Sequence, residues 1–390
     1  MANLTLFSQI ISKLDRTIFS KLVESKQSDK HHKGYNSWTH LVSMLFCQFA
    51  KSQSVRDISN GLRSATGNLN HLGIQKAPSK STISYQNKHR DWELFKEFYY
   101  KLLGSLGQQQ GFKQSKFKIK SKIFLLDSST IPLCLSLFDW AKYKTAKGAV
   151  KMHTVLDYDG NLPAYVNITD GKTADNKGAY DIPLLKGSVI VADRFYNDFS
   201  LLNIWDSSGV KFVVRHKENL QYTVIKENEL PEKRHQHILK DEIIELKNIG
   251  SKQKYPKRLR RVALWDDKNK QVIELITNQL NWTANTLGEL YRSRWQIEIF
   301  FREIKQLLNI KSFIGTTENA VMIQVWTALI TILMLKVLKH GAKFNWHLSN
   351  LVAFIRLNLF VKIDLQKWID KPFEEHIQSP PKSSIQGVLL

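Results

Sequence analysis

The segment YRSRWQIEIFFREIK, residues 291–305, carries four side chains whose spacing suits chemistry. Tyr291, Arg294, Glu298 and Lys305 are separated by three, four and seven positions. Each offset is close to a whole number of helical turns, so a helix would place all four on one face. Arg and Lys could hold phosphate oxygens there while Glu binds a metal ion. The alternative is a solvated helix in which Arg294 and Glu298 form a local ion pair.

Two aspartates follow short apolar runs that are typical of buried strands. IFLL runs directly into Asp127, and VIVA into Asp193. We predict both at the ends of neighbouring strands, although a single Asp at a strand end is more often structural. Together with Glu298 they would form a hard anionic cage suited to Mg²⁺. Two such ions about 3.5–4 Å apart could activate a water or a 3′-hydroxyl and stabilise the leaving oxygen in an attack on phosphate.

The elements that must position these acids follow from the apolar pattern. After the strand 123–126, two predicted strands flank the turn sequence DYDGN, which is a hairpin signal. The pattern then predicts helix, strand, helix and strand, in a mixed α/β sheet whose first strands are antiparallel. The predicted strands of this part are 123–126, 150–156, 162–169, 189–192 and 211–215, and the predicted helices are 178–185 and 198–207.

Residues 1 to about 110 are predicted to be helical. A helix begins near Pro78, with Ser79 or Ser81 as its N-terminal cap. Its polar residues suit reading of a DNA major groove, and a polar surface helix is the alternative. Residues 217–281 alternate charged and apolar stretches and are predicted as a β-rich insertion. The basic residues of this insertion are expected to contact phosphates, or else to keep a loop soluble: Lys252, Lys254, Lys257, Arg258, Arg260 and Arg261.

The bulk composition points to a polyanionic partner. Fifty-seven Lys and Arg against thirty-five Asp and Glu give a net charge of +22. Two isolated cysteines exclude a disulfide framework and fit a reducing cytoplasm. The apolar stretch 320–338 is predicted as a buried core helix in preference to a membrane span. No phosphate-cradling Gly loop is found, so we expect no nucleotide. Lysines at 142, 144, 147 and 151, and a lysine-dense link at 113–122, could follow a DNA backbone.

The arrangement Y-x2-R-x3-E-x6-K resembles the signature of bacterial insertion-sequence transposases of the DDE superfamily, in the branch often called the IS-four family. The resemblance extends from about Asp127 to about Leu338 and includes LDSSTI, ADRFYND and the helix after Glu298. It implies an RNase-H-like core, a β-rich insertion before the last acid, and a metal-dependent reaction without a covalent protein–DNA intermediate. Asp127, Asp193 and Glu298 would be the catalytic residues and the metal ligands.

The resemblance also implies DNA contacts. Tyr291, Arg294 and Lys305 would contact phosphates of a DNA end, and Trp295 would lie near the terminal bases. A Trp of the insertion would hold a flipped base, for which Trp265 is the first candidate and Trp282 the second. Unstacking a base costs a few kcal/mol, so a stacking partner has a physical purpose. A core role for Trp265 is the alternative.

These observations together predict a cytoplasmic, nucleoid-associated transposase that binds terminal inverted repeats and performs cut-and-paste cleavage and transfer. We expect two Mg²⁺ ions per active site (replaceable by Mn²⁺), a homodimer on double-stranded transposon ends and target DNA, and no membrane partner. The alternatives are an RNase-H-like nuclease without transposition and a domesticated, non-catalytic DNA-binding regulator. The predicted parts are a helical DNA-binding domain (1–110), an RNase-H-like core (111–216 and 282–340), the insertion (217–281), and C-terminal helices with a disordered tail (341–390).

Overall fold

The computed structural model describes most of the chain. The described residues are 3–32, 34–65, 67–107, 117, 119, 121–133, 138, 140, 142–144, 147–216, 219–230, 237–310 and 312–374. The predicted disordered tail and most of the lysine-dense link fall outside these residues.

Helices make up the N-terminal region, and most of them begin at a side chain that accepts a hydrogen bond from the first turn. Ser79 caps α5, where its hydroxyl accepts from the Thr82 amide at 3.2 Å, so one of the two predicted caps is confirmed. Nearly all of α3 is buried, which makes it the centre of the helical layer. The six helices are α1 (Leu6–Ile11), α2 (Arg16–Ser25), α3 (Ser37–Ala50), α4 (Val55–Ser64), α5 (Lys80–His89) and α6 (Glu93–Gly107).

The central strands pair into a mixed sheet. They are β1 (Ile123–Leu133), β2 (Lys142–Lys144), β3 (Lys147–Asp157), β4 (Leu162–Asp170), β5 (Val189–Ala192) and β6 (Lys211–Arg215). β3 lies antiparallel between β1 and β4, whereas β5 pairs in parallel with both β1 and β6. The order β4-β3-β1-β5-β6 with these directions is that of an RNase-H-like core, so the predicted fold class is confirmed.

The connections between these strands agree with the prediction in one case and not in another. β5 is followed by α7 (Phe199–Ser207), capped by Asp198 as the pattern indicates. The helix predicted at 178–185, however, is wrong, because only a 3₁₀ turn forms there, at Lys177–Ala179. Pro183 has no backbone N–H and disfavours helical backbone in the residue before it, which stops a longer helix.

β1 is longer than the apolar run that predicts it. The sequence predicts a strand ending at Asp127, but β1 continues to Leu133. Antiparallel pairing with β3 holds it as far as Leu133, opposite Gly148. The parallel pairing with β5 stops at Leu126, opposite Ala192. Asp127 therefore lies within the strand, where β1 loses its neighbour on one side, and the predicted strand end is wrong.

The insertion extends the same sheet. In its described part it contains β7 (Tyr222–Glu227), β8 (Ile238–Leu246), α8 (Ile249–Lys254), β9 (Leu259–Asp266) and β10 (Gln271–Thr277). Each of these strands pairs antiparallel with the next, and β10 pairs antiparallel with β6. The result is a ten-stranded sheet.

After the insertion, the described residues form helices, of which α9 and α10 pack on one face of the sheet and α11 and α12 pack on the N-terminal layer. α11 is long and apolar enough to cross a membrane, but 89% of its apolar window is buried in the fold, where it contacts α3 and α6. The predicted core helix is thereby confirmed. α7 covers the opposite face of the sheet with a second apolar cluster. The C-terminal helices are α9 (Ala284–Ser293), α10 (Trp295–Leu307), α11 (Glu318–Gly341), α12 (Leu348–Leu357) and α13 (Leu365–Asp370).

Candidate active site

Asp127 and Asp193 come from neighbouring parallel strands. Leu126 is in register with Ala192, so the two aspartates follow at the same level of the sheet. Leu126 belongs to the apolar cluster on the α7 face, so alternation directs Asp127 toward the face covered by α9 and α10. Asp193 caps a 3₁₀ turn, Arg194–Tyr196, and its Oδ1 accepts a hydrogen bond from the Phe195 amide at 2.8 Å.

The Tyr-Arg-Glu-Lys segment spans two helices. Tyr291 lies in α9 and Glu298 in α10, with Arg294 at the junction. The predicted single long helix is therefore interrupted. Arg294 nevertheless keeps helical dihedral angles (φ −53°, ψ −29°), so the shared face is largely preserved. α10 packs directly on β1, which brings this face to the two aspartates.

Arg294 links two of the three acids. Its Nη1 lies 3.0 Å from Oδ2 of Asp127, and its Nη2 donates to Oε1 of Glu298. Three turns along the same helix, Lys305 donates to the carbonyl oxygen of Thr130 at 2.9 Å. Asp127, Glu298 and Lys305 line one open cleft. The structure thus brings a strand carboxylate and the helix carboxylate together around a guanidinium group.

Electrostatics in this cleft favour an added cation. Burial raises the pKa of the Asp127 carboxyl to about 7, Arg294 opposes the rise, and the charges of Asp193 and Glu298 add to it. Burial also raises the pKa of Asp193, with a further contribution from Asp175. Carboxylates that are hard to ionise for these reasons would be stabilised by a divalent ion.

The side-chain positions show what binding of a metal ion would require. Within the described ranges, no three His, Cys, Asp or Glu side chains are close enough to hold a metal ion together. The Arg294 guanidinium group occupies the space between Asp127 and Glu298. The oxygen donors fit Mg²⁺ in kind, but an ion shared by these two carboxylates would have to displace Arg294.

The aromatic candidates differ in exposure. Trp295 is 50% exposed, so part of its ring is available to a base, and the ammonium group of Lys268 lies 5.3 Å from the ring centroid. Trp265 is half-buried at the end of β9. Trp282 packs against the main apolar cluster below Lys211, which gives this second candidate a structural role.

Several residues that were predicted to contact phosphates form ion pairs within the protein instead. Arg260 and Arg261 are buried in ion pairs with Asp241 and Glu242, so the structure contradicts a role for these two arginines in binding phosphate. Burying a guanidinium group is tolerable only with such partners. Lys151 is likewise paired, with Asp175 at 3.0 Å. The side chains at 142, 144 and 147 lie outside the described residues.

Two further residues near the aspartates escape the sequence analysis. Val214 is in register with Ala192, so Arg215 follows beside Asp193 at the same sheet edge. The strand-end rule applied to β6 could have found it. Asp175 accepts a hydrogen bond from the Ser128 hydroxyl. It lies in a loop without apolar periodicity, and no signal in the sequence indicates it.

An RNase-H-like sheet with one acid on a central strand, a second directly after the neighbouring strand and a third on an adjacent helix defines a nuclease or strand-transfer enzyme. The chain belongs to the family described as transposase DDE domain, whose model matches residues 118–334. A domain of unknown function matches residues 2–75. The predicted transposase family and enzyme class are thereby confirmed.

Curated relatives agree with this membership. A putative transposase of Sinorhizobium fredii is 30% identical over 76% of this chain and 81% of its own. A probable transposase for an insertion sequence of Geobacillus stearothermophilus is 27% identical over 71% and 72%, respectively. A putative insertion-sequence transposase of Synechocystis is 23% identical over 74% and 80%. A piggyBac transposase synaptic complex with hairpin DNA has a TM-score of 0.38 at 10% identity, covering 95% of this chain and 81% of its own.

Proposed function

We propose that this transposase binds the terminal inverted repeats of its own element, cuts both strands and joins the ends to target DNA. The observation that carries the proposal is the contact of Arg294 with both Asp127 and Glu298, beside Asp193 on the next strand. This arrangement combines acids for metal ions with a cation for phosphate in one open cleft.

Asp127, Asp193 and Glu298 are the residues that would hold Mg²⁺ or Mn²⁺, two ions per site. The ions would supply activation of the attacking oxygen and charge stabilisation of the leaving oxygen. The residues of the chain would orient the DNA end. On binding of DNA, Arg294 would exchange its carboxylate partners for a phosphate, since its planar group suits either partner.

The remaining residues of the same face would hold the DNA end. Tyr291 and Lys305 would contact phosphates beside Arg294, and Trp295, which is exposed, would lie against a terminal base. Trp265 is proposed to stack on a flipped base. Loss of one phosphate contact should reduce the salt dependence of DNA binding by about one unit of slope.

The helical region 1–110 is proposed to recognise the repeat sequence. The exposed side of α5 carries Tyr85, which is 60% exposed and stacks on His89 at 4.1 Å. Lys88, also exposed, adds a positive charge to this side. An exposed helix with hydroxyl, amide and cationic groups suits the edges of bases in a major groove. The chain would act as a homodimer on two DNA ends, associated with the nucleoid.

Transfer of pre-cut ends into a plasmid, assayed with Mg²⁺, tests the proposal. Joined products that disappear in Asp193→Ala, while end binding persists, are expected. Cleavage without joining would favour the nuclease alternative. Binding without either reaction in the wild type would favour the regulator.

A further inference from the structure

Asp175 contacts the strand that carries Asp127. It lies in the loop between β4 and β5, where regular structure is limited to the 3₁₀ turn that follows it. Its Oδ1 accepts a hydrogen bond from the Ser128 hydroxyl at 2.5 Å. The same oxygen lies 3.0 Å from Nζ of Lys151 on β3. The loop is thereby tied to both strands at the level of the site.

Ser128 connects this contact to Asp127. Its backbone amide donates to Oδ1 of Asp127 at 2.8 Å. From this position onward β1 has lost β5 as a neighbour and is held by β3 alone. The Ser128 hydroxyl lies on the opposite face from the Asp127 side chain, because successive residues of a strand alternate. Asp175 therefore contacts β1 on the face opposite the Asp127 side chain. At this point β1 no longer has a paired strand on both sides.

Lys151 makes this arrangement stable enough to serve as an anchor. It is only 13% exposed, and it donates to the Thr173 carbonyl oxygen at 2.7 Å while pairing with Asp175. A partly buried carboxylate with both a cation and a hydroxyl donor is held in one orientation.

We infer that Asp175 is a positioning residue that fixes the Asp127 carboxylate through the hydroxyl and backbone of Ser128. The inference rests on the proposed function, because the orientation matters through the metal ion that Asp127 would bind. Partners behind a metal ligand typically change metal affinity or activity by about 10–100-fold when removed.

Mn²⁺ binding to the full-length protein, followed by electron paramagnetic resonance, tests the inference separately from strand transfer. The variants are Asp175→Ala, Asp175→Asn, Ser128→Ala and the double variant Asp175→Ala with Ser128→Ala. Asp170→Ala is the matched control, because Asp170 accepts hydrogen bonds from Thr173 in the same loop without contacting Ser128. Thermal unfolding of each variant shows whether the fold is kept.

We expect Asp175→Ala and Ser128→Ala each to weaken Mn²⁺ binding by about 10–100-fold, and the double variant to be no weaker than either. Asp175→Asn keeps an acceptor for the hydroxyl but loses the charge that pairs with Lys151, so it should bind Mn²⁺ more tightly than Asp175→Ala and less tightly than the wild type. Additive losses, or equal binding by Asp175→Ala and Asp170→Ala, would overturn the inference alone. A wild-type protein that binds no Mn²⁺ would overturn the proposed function and the inference with it.

Discussion

Neutralising Asp127 should stabilise the protein while destroying its activity. The pKa of this carboxyl rises from 3.8 to about 7, chiefly through burial, so ionisation is harder in the folded protein than in the unfolded chain. A carboxyl with a raised folded pKa contributes stability that is present below pH 4 and is lost as the pH rises toward 7. A shift of about three pKa units corresponds to roughly 4 kcal/mol of unfavourable free energy at pH 8.

The shift already includes the opposing attraction of Arg294, so we expect Asp127→Asn to give a net gain of roughly 2–4 kcal/mol at pH 8. The gain should fall below about 0.5 kcal/mol at pH 4, where the wild-type carboxyl is protonated. Urea unfolding at both pH values, without divalent ions, measures the difference. Asp170→Asn is a control of opposite sign, because a hydrogen bond from Thr173 lowers the pKa of Asp170. A variant less stable than the wild type at pH 8 would show that the ion pair with Arg294 outweighs burial.

Three further outcomes are expected. Glu298→Gln should reduce strand transfer on the order of 10³-fold or more while duplex end binding, measured by gel shift, changes little; unchanged transfer would remove Glu298 from the site. Lys336→Met should raise the unfolding free energy at pH 7 by about 1–3 kcal/mol, because burial lowers the pKa of this lysine to about 8. The gain should shrink above pH 8, and calorimetry at the two pH values measures the difference. Gly178→Ala should destabilise by about 1–3 kcal/mol, since a new methyl carbon would lie 2.5 Å from the His153 ring, and chemical unfolding that shows no change would mean that the ring moves aside.

The sequence could predict the central strands because their signal is local. Four buried residues, VIVA, predict β5, and the DYDGN turn predicts the hairpin of β3 and β4. The extension of β1 beyond Asp127 has no such signal, because it depends on pairing with β3 rather than on an apolar run. The residues of the insertion likewise predict β-rich structure. Its attachment to the sheet is a long-range pairing of β10 with β6, which no local pattern predicts.

For the site, the sequence could predict which acids and which helix face belong together, because the helical spacing places Arg294 and Glu298 on one side. It could not predict the position of the Arg294 guanidinium group between two carboxylates, which depends on where α10 crosses β1. Asp175 was unpredictable for a related reason. Its loop has neither strand nor helix periodicity, and only tertiary packing brings it to Ser128.

The stability of the rest of the fold explains how such a site can be maintained. Burial raises the pKa of both Asp127 and Asp193, and for Asp127 the shift corresponds to an unfavourable free energy of roughly 4 kcal/mol at pH 8. The opposing term is the packing of the core, in which α11 is mostly buried and contacts α3, α6 and α10. Arg294 lowers the remaining repulsion because one planar group contacts two acids at once, which a lysine could not match. Arg294 therefore both stabilises the acids in the protein alone and lies where a phosphate of the proposed substrate would be needed.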